Sequence, residues 1–153
     1  MSLVNINSEP INMNIILTGA SKGIGYDTAL EFAKNINGKI IAIARSEDNL
    51  KKLRDEIGNI NSDCELIPLP FDLSNKDYSE IIKAAENLGH VDILINNAGY
   101  LNKRKFMELE ENDWYKMFEI NVFAAVRLVR ELMPFMGKKG KTHIVNIGSM
   151  AGF

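Results

Sequence analysis

The sequence predicts a doubly wound α/β domain, an open parallel sheet with helices on both faces. Three observations carry that expectation. Short apolar runs alternate with longer helical segments, the pattern of right-handed βαβ units. The runs are apolar at consecutive positions, as strands covered on both faces must be. A glycine cluster follows the first run and opens the first helix.

The elements read in order as follows. Residues 14–18 are the first strand. Residues 24–37 have helical spacing, with Ala29, Leu30, Phe32 and Ala33 among the apolar positions. Residues 39–44 are the second strand. Residues 46–57 form a helix with Leu50, Leu53 and Ile57 on one face. Ser46 is its expected N-cap, and Glu47 and Asp48 suit its first turn. Residues 64–69 are a third strand, placed at an edge because Pro68 cannot donate to a ladder. Residues 74–88 read as a helix and 91–96 as the fourth strand. Residues 112–136 read as the longest helix, with an apolar stripe through Trp114, Met117, Phe118, Val122, Ala125, Val129 and Leu132. Asn121 falls within that stripe. A polar group turned toward a core must find partners or cost about 1–3 kcal/mol. Residues 142–147 are the fifth strand.

A length of 153 residues suits one domain. Residues 13–153 are assigned to it and residues 1–12 to an N-terminal extension, with residues 1–3 a candidate cloning remnant. The net charge of −2 gives no electrostatic support for a nucleic-acid or membrane-surface partner. A single cysteine, Cys64, excludes an intrachain disulfide and a multi-cysteine metal site. No other spacing of His, Cys or carboxylate residues points to a metal. No apolar run approaches the ~20 residues of a membrane span. The first 12 residues lack the basic start and apolar stretch of a secretory signal. The expected location is the cytoplasm.

The glycine cluster runs Thr18-Gly19-Ala20-Ser21-Lys22-Gly23-Ile24-Gly25. Its position between strand and helix matters more than its spacing. There, backbone N–H groups and the helix dipole can hold a pyrophosphate. Gly19 is expected to make the tight turn, Gly23 to let the backbone approach a ligand, and Gly25 to let helix pack on strand. The alternative is a helix-start turn with no ligand. A Walker-type phosphate loop is excluded, because Lys22 precedes its glycine instead of following it.

About 20 residues past such a loop, an acid would bind a ribose 2′-hydroxyl. Here the second strand ends in Arg45-Ser46. Arg45 offers a guanidinium fork for a 2′-phosphate, Ser46 a hydroxyl, and Lys22 a second cation from the loop. The alternative for Arg45 and Lys22 is a pair of solvated surface cations. The nearby Glu47 and Asp48 would weaken a phosphate preference.

With these residues in view, the chain resembles the short-chain dehydrogenases/reductases. The glycine loop resembles that family's cofactor loop, with Ser21 and Ile24 among its contacts. Phe71-Asp72-Leu73 resembles its adenine-contacting segment, and Asn96-Asn97-Ala98-Gly99 its signature after the fourth strand. Asn121 resembles the helix asparagine of its catalytic tetrad. Residues 144–149 resemble the fifth strand ending in its catalytic serine, Ser149. The resemblance implies an NADP(H)-dependent oxidoreductase that interconverts a carbonyl and an alcohol on a small molecule by hydride transfer. It implies that Asp72 faces the adenine amine, that Asn97, Ala98 and Gly99 line the cofactor while Asn96 braces the sheet, and that Asn121 locally kinks its helix. It also implies a homo-oligomer for the full-length protein, paired through the long helix and the one after it, so that no dimer follows from these residues alone.

One family element has no counterpart. The resemblance implies a Tyr-x-x-x-Lys pair on a helix after the fifth strand, and the sequence reaches only Phe153. Tyr26, Tyr78, Tyr100 and Tyr115 have Leu30, Ile82, Arg104 and Glu119 at the fourth position onward. A dinucleotide sheet also has six strands in the order 3-2-1-4-5-6, and five are counted here. The expectation is a Rossmann-like domain incomplete on its C-terminal side. The alternative is a catalytically silent nucleotide-binding or regulatory module.

Overall fold

A computed structural model describes residues 11–138 and 140–149 of the chain. Five strands form one sheet: β1 (Ile11–Thr18), β2 (Ile36–Ala44), β3 (Cys64–Pro70), β4 (Ile93–Asn96) and β5 (His143–Asn146). Their order is β3-β2-β1-β4-β5, and every neighbouring pair is parallel. The crossovers are α1 (Gly23–Asn35), α2 (Glu47–Ile60), α3 (Ser79–Leu88), and a composite of α4 (Glu111–Phe118) and α5 (Ala124–Leu132). The chain reverses its winding direction between β1 and β4. In open α/β sheets, ligands bind outside the carboxyl ends of the strands at such a switch point.

Period-two alternation divides the core between the two faces. Ile15, Leu17, Ile40, Ala42, Ile93 and Ile95 point to one face, where α1 and α2 add Ala29, Ala33, Leu50, Leu53 and Ile57. Ile16, Ile41, Ile43 and Leu94 point to the other, against Ile81, Ala85, Ala124, Leu128 and Leu132 from α3 and α5. The expected edge strand, residues 64–69, is β3, and it pairs only with β2. β5 forms the opposite edge, and all four of its residues are exposed.

Several boundaries differ from expectation, each for a local reason. Ile11 and Asn12, assigned to the extension, pair with Ile36 and Asn37 in β1. Residues 1–10 lie outside the described residues. The first helix ends at Asn35 instead of 37, because buried Ile36 already belongs to β2. Residues 74–78 are not helical. Asp72, Asn75 and Asp77 each accept a backbone N–H two residues on, from Ser74, Asp77 and Ser79, and this local bonding replaces helical turns.

The long helix carries the largest departure. Glu119–Phe123 is a π-helical turn, in which the Ala124 N–H donates to the Glu119 carbonyl five residues back. The wider turn breaks the expected stripe. The buried positions after it are Ala124, Leu128 and Leu132, and α4 buries none of its residues. Of the predicted stripe only Leu132 is buried; Trp114, Phe118 and Val122 are exposed. Among the described residues no helix is long and apolar enough to cross a membrane.

Candidate functional site

The carboxyl ends of β1 to β4 open onto one cleft of about 340 Å³. Each strand sends its following loop into it. Gly19, Ser21, Lys22 and Ile24 come from β1; Arg45 follows β2; Phe71, Asp72 and Leu73 follow β3; Asn97, Ala98, Gly99 and Tyr100 follow β4. Ile120 closes the cleft from the π turn. Parallel strands bring these four loops to one edge although they lie about 80 residues apart.

The loop after β1 is held from below by Thr18. Its Oγ1 accepts the N–H groups of Asn97 and Ala98, both at 3.0 Å, and donates to the Ile95 carbonyl at 3.3 Å. Asn97 returns the contact, its amide Nδ2 donating to the carbonyls of Thr18 (3.0 Å) and Gly19 (3.3 Å). Asn97 therefore lines the cleft and at the same time ties the two central loops together. Asn96 braces the sheet, donating to Asn146 Oδ1 across β4 and β5 at 2.9 Å.

The glycines fit their close quarters. A Cβ on Gly25 would lie 2.4 Å from the Gly19 carbonyl oxygen and 2.5 Å from Asn97 Nδ2. Gly25 thus lets α1 pack on the loop and on Asn97, not on the strand itself. Gly23 has φ +57° and nothing within 4 Å of where a Cβ would stand, so its backbone faces open space.

The start of α1 is left without a side-chain cap or a compensating charge. Its N-cap, Lys22, makes no side-chain hydrogen bond to the helix, and its first turn holds no acid. The first N–H groups of a helix have no partner within it, and they carry the positive end of its dipole. Among the described residues neither Lys22 nor Arg45 has an ion-pair partner within 4.0 Å. Ser46 stands apart from this group. It does not line the cleft, and its Oγ accepts the Asn49 N–H at 3.4 Å, capping α2. Asp72 is held below the usual carboxylate range, mainly by the Ser74 backbone N–H, with Arg45 and Lys116 adding to the pull.

Asn121 does find its partners. Its Oδ1 accepts the Tyr100 N–H at 2.7 Å and its Nδ2 donates to the Tyr100 carbonyl at 2.9 Å. The side chain thus fastens the cleft loop to the π turn. Ser149 stands three residues past β5, exposed at the same carboxyl edge, and outside the cleft lining.

This geometry can be set beside known proteins. A family profile described as short chain dehydrogenase matches residues 13–153. The chain belongs to the short-chain dehydrogenase family. It is 36% identical over 143 residues to the NADP-dependent 3-hydroxy acid dehydrogenase of Schizosaccharomyces pombe, across 90% of this chain and 54% of the relative. Among solved structures, it superposes with a TM-score of 0.84 at 29% identity on L-sorbose reductase from Gluconobacter frateurii complexed with NADPH and L-sorbose. That match covers 92% of this chain and 54% of the other. The bulky-bulky ketone specific alcohol dehydrogenase from Comamonas testosteroni gives a TM-score of 0.82 at 27% identity, over 92% and 56% of the two chains. The chain spans about half the length of the short-chain dehydrogenases it matches.

Sequence reasoning missed two residues that build this cleft, Thr18 and Ile120. Thr18 carries a signal of its own: a polar residue ending an apolar strand must be satisfied where it is buried. Ile120 carries none, because only the π turn brings it to the cleft.

Proposed function

We propose that the protein is an NADP(H)-dependent oxidoreductase that interconverts a carbonyl and an alcohol on a small molecule. One observation carries the reading: Arg45 stands in the same cleft as the uncapped start of α1. The first offers a planar fork to a 2′-phosphate, and the second offers N–H groups to a pyrophosphate. The cofactors named for the Schizosaccharomyces pombe and Gluconobacter frateurii relatives support it.

In this reading the loop of Gly19, Ser21, Lys22, Gly23, Ile24 and Gly25 would hold the pyrophosphate. Arg45 would take the 2′-phosphate, with Ser46 fixing the start of α2 beside it. Asp72 and Leu73 would bound the adenine, and Asn97, Ala98 and Gly99 the inner ribose. The bound nicotinamide supplies hydride transfer. The chain supplies position and polarity. Ser149 would hydrogen-bond through its hydroxyl to the substrate carbonyl oxygen and polarise the carbonyl. Asn121 clasps Tyr100 and so fixes the cleft wall next to that carbonyl.

A second copy is the proposed partner, seated on the exposed Phe123 and Val126 of the long helix. A cytoplasmic location is proposed along with this reading. The test is carbonyl-dependent consumption of NADPH by the intact protein, beside its Ser149→Ala variant. Turnover is expected to fall at least about 100-fold in the variant with NADPH affinity unchanged. NADPH binding without turnover on any carbonyl would contradict the assignment.

A further inference from the structure

Two walls of the cleft are tied to one side chain behind them. Phe71 and Leu73 belong to the wall after β3, and Ile120 to the wall formed by the π turn. Arg127, on α5, reaches both. Its Nη2 lies 2.5 Å from Glu119 Oε1, and the two side chains are 21% and 22% exposed. Glu119 opens the π turn, and its carbonyl accepts the five-residue hydrogen bond that defines it. On its other side the Arg127 guanidinium carbon lies 5.9 Å from the centre of the Tyr78 ring. Tyr78 is buried, donates its hydroxyl to the Leu73 carbonyl at 2.9 Å, and meets Phe71 edge-on at 5.5 Å between ring centres.

A guanidinium suits this double task. Its plane can lie against a ring while its edge pairs with a carboxylate, and an ammonium cannot do both. The pair is largely shielded from water, so its attraction is less screened than that of a surface ion pair. Neither Arg127 nor Glu119 lines the cleft. Whatever they contribute there must pass through Tyr78 and the π turn.

We propose that Arg127 is a positioning residue that sets the adenine-side wall of the cleft against the π turn and thereby governs affinity for the adenosine end of the cofactor. This rests on the cofactor reading above. The probe is adenosine 2′,5′-bisphosphate, which carries the adenine and the 2′-phosphate but no nicotinamide. Its binding to the intact protein is measured by calorimetry for wild type, Arg127→Met and Arg127→Lys, with circular dichroism confirming that each is folded. Coupling through such packed contacts is worth about tenfold in affinity, so Arg127→Met is expected to bind about tenfold more weakly. Arg127→Lys is expected to recover part of the loss, since it restores the charge opposite Glu119 but not the plane over Tyr78.

Unchanged affinity in folded Arg127→Met overturns the proposal, and so does a lower melting temperature with affinity unchanged. Where Arg127→Met does not fold, Tyr78→Phe carries the test, because it removes the hydroxyl that ties Tyr78 to Leu73 and meets Arg127. Weaker binding is expected, and unchanged binding overturns the proposal. A folded wild-type protein that does not bind the probe overturns the cofactor reading, and the proposal with it. Wild-type binding with a variant that matches it strikes the proposal alone.

Discussion

Of the helices that begin at the carboxyl edge of this sheet, α1 and α2 begin differently. α2 satisfies itself: Ser46 caps it, and Glu47 and Asp48 occupy its first turn. α1 starts at Lys22 with no side-chain cap and no acid in its first turn. The two ends share a sheet edge and a crossover geometry, so fold alone does not explain the difference. A helix end that leaves its N–H groups and its dipole uncompensated is costly unless solvent or a ligand meets them. α2 thus has a start that serves its own stability, and α1 has one left open for the proposed ligand.

The largest expected effect comes from closing the space that lets α1 start where it does. Gly25→Val would press a side chain onto the Gly19 carbonyl and Asn97. It is expected to cost roughly 3 kcal/mol of stability, read by thermal or urea unfolding, and to abolish dinucleotide binding. Next is Thr18→Val, which leaves the buried N–H groups of Asn97 and Ala98 without their acceptor. A loss of about 2 kcal/mol is expected by the same measurement.

The comparison itself is tested by exchanging the caps. Lys22→Asp gives α1 the cap and the negative charge that α2 has. Stability is expected to rise by up to about 1 kcal/mol while affinity for NADP⁺ falls at least about tenfold. Ser46→Ala is the mirror experiment, expected to cost about 1 kcal/mol of stability with little change in affinity. Equal effects of the two substitutions on binding would erase the distinction.

The smallest effect is in acid. Asp72 has a lowered carboxyl pKa in the folded chain, chiefly through the Ser74 backbone N–H. A lowered folded value stabilises above the unfolded pKa and is lost as pH falls through the folded one. Unfolding free energy is therefore expected to decline below about pH 4, and slightly less steeply in Asp72→Asn. A decline of identical slope would show that the carboxylate contributes nothing to the loop.

Much of this was legible in the residues. Consecutive Ile and Leu positions in the first, second and fourth strands announce a sheet covered on both faces, and Pro68 announces an edge. The glycine loop, Arg45, Asp72 and Asn97 could be placed at one sheet edge because parallel strands leave few alternatives. The π turn was legible only in part. The resemblance implies a local kink at Asn121, inside Glu119 to Phe123, but apolar spacing on either side of Asn121 gives no sign of a wider turn. What opens the turn is tertiary: the Asn121 clasp on Tyr100 and the pairing of Glu119 with Arg127. The turns at 72–79 misled for another reason. Ser, Asp and Asn are tolerated in helices, and only the geometry shows their oxygens capturing the backbone N–H groups.

The proposed cofactor assignment places a 2′-phosphorylated dinucleotide between Arg45 at the cleft and the uncapped start of α1. The most direct measurement is the pair of dissociation constants for NADP⁺ and NAD⁺ on the intact protein, taken side by side with those of Arg45→Asp. Tighter NADP⁺ binding is expected in the wild type, with a shift toward NAD⁺ in the variant. Equal affinities, or tighter NAD⁺ binding in the wild type, would contradict it.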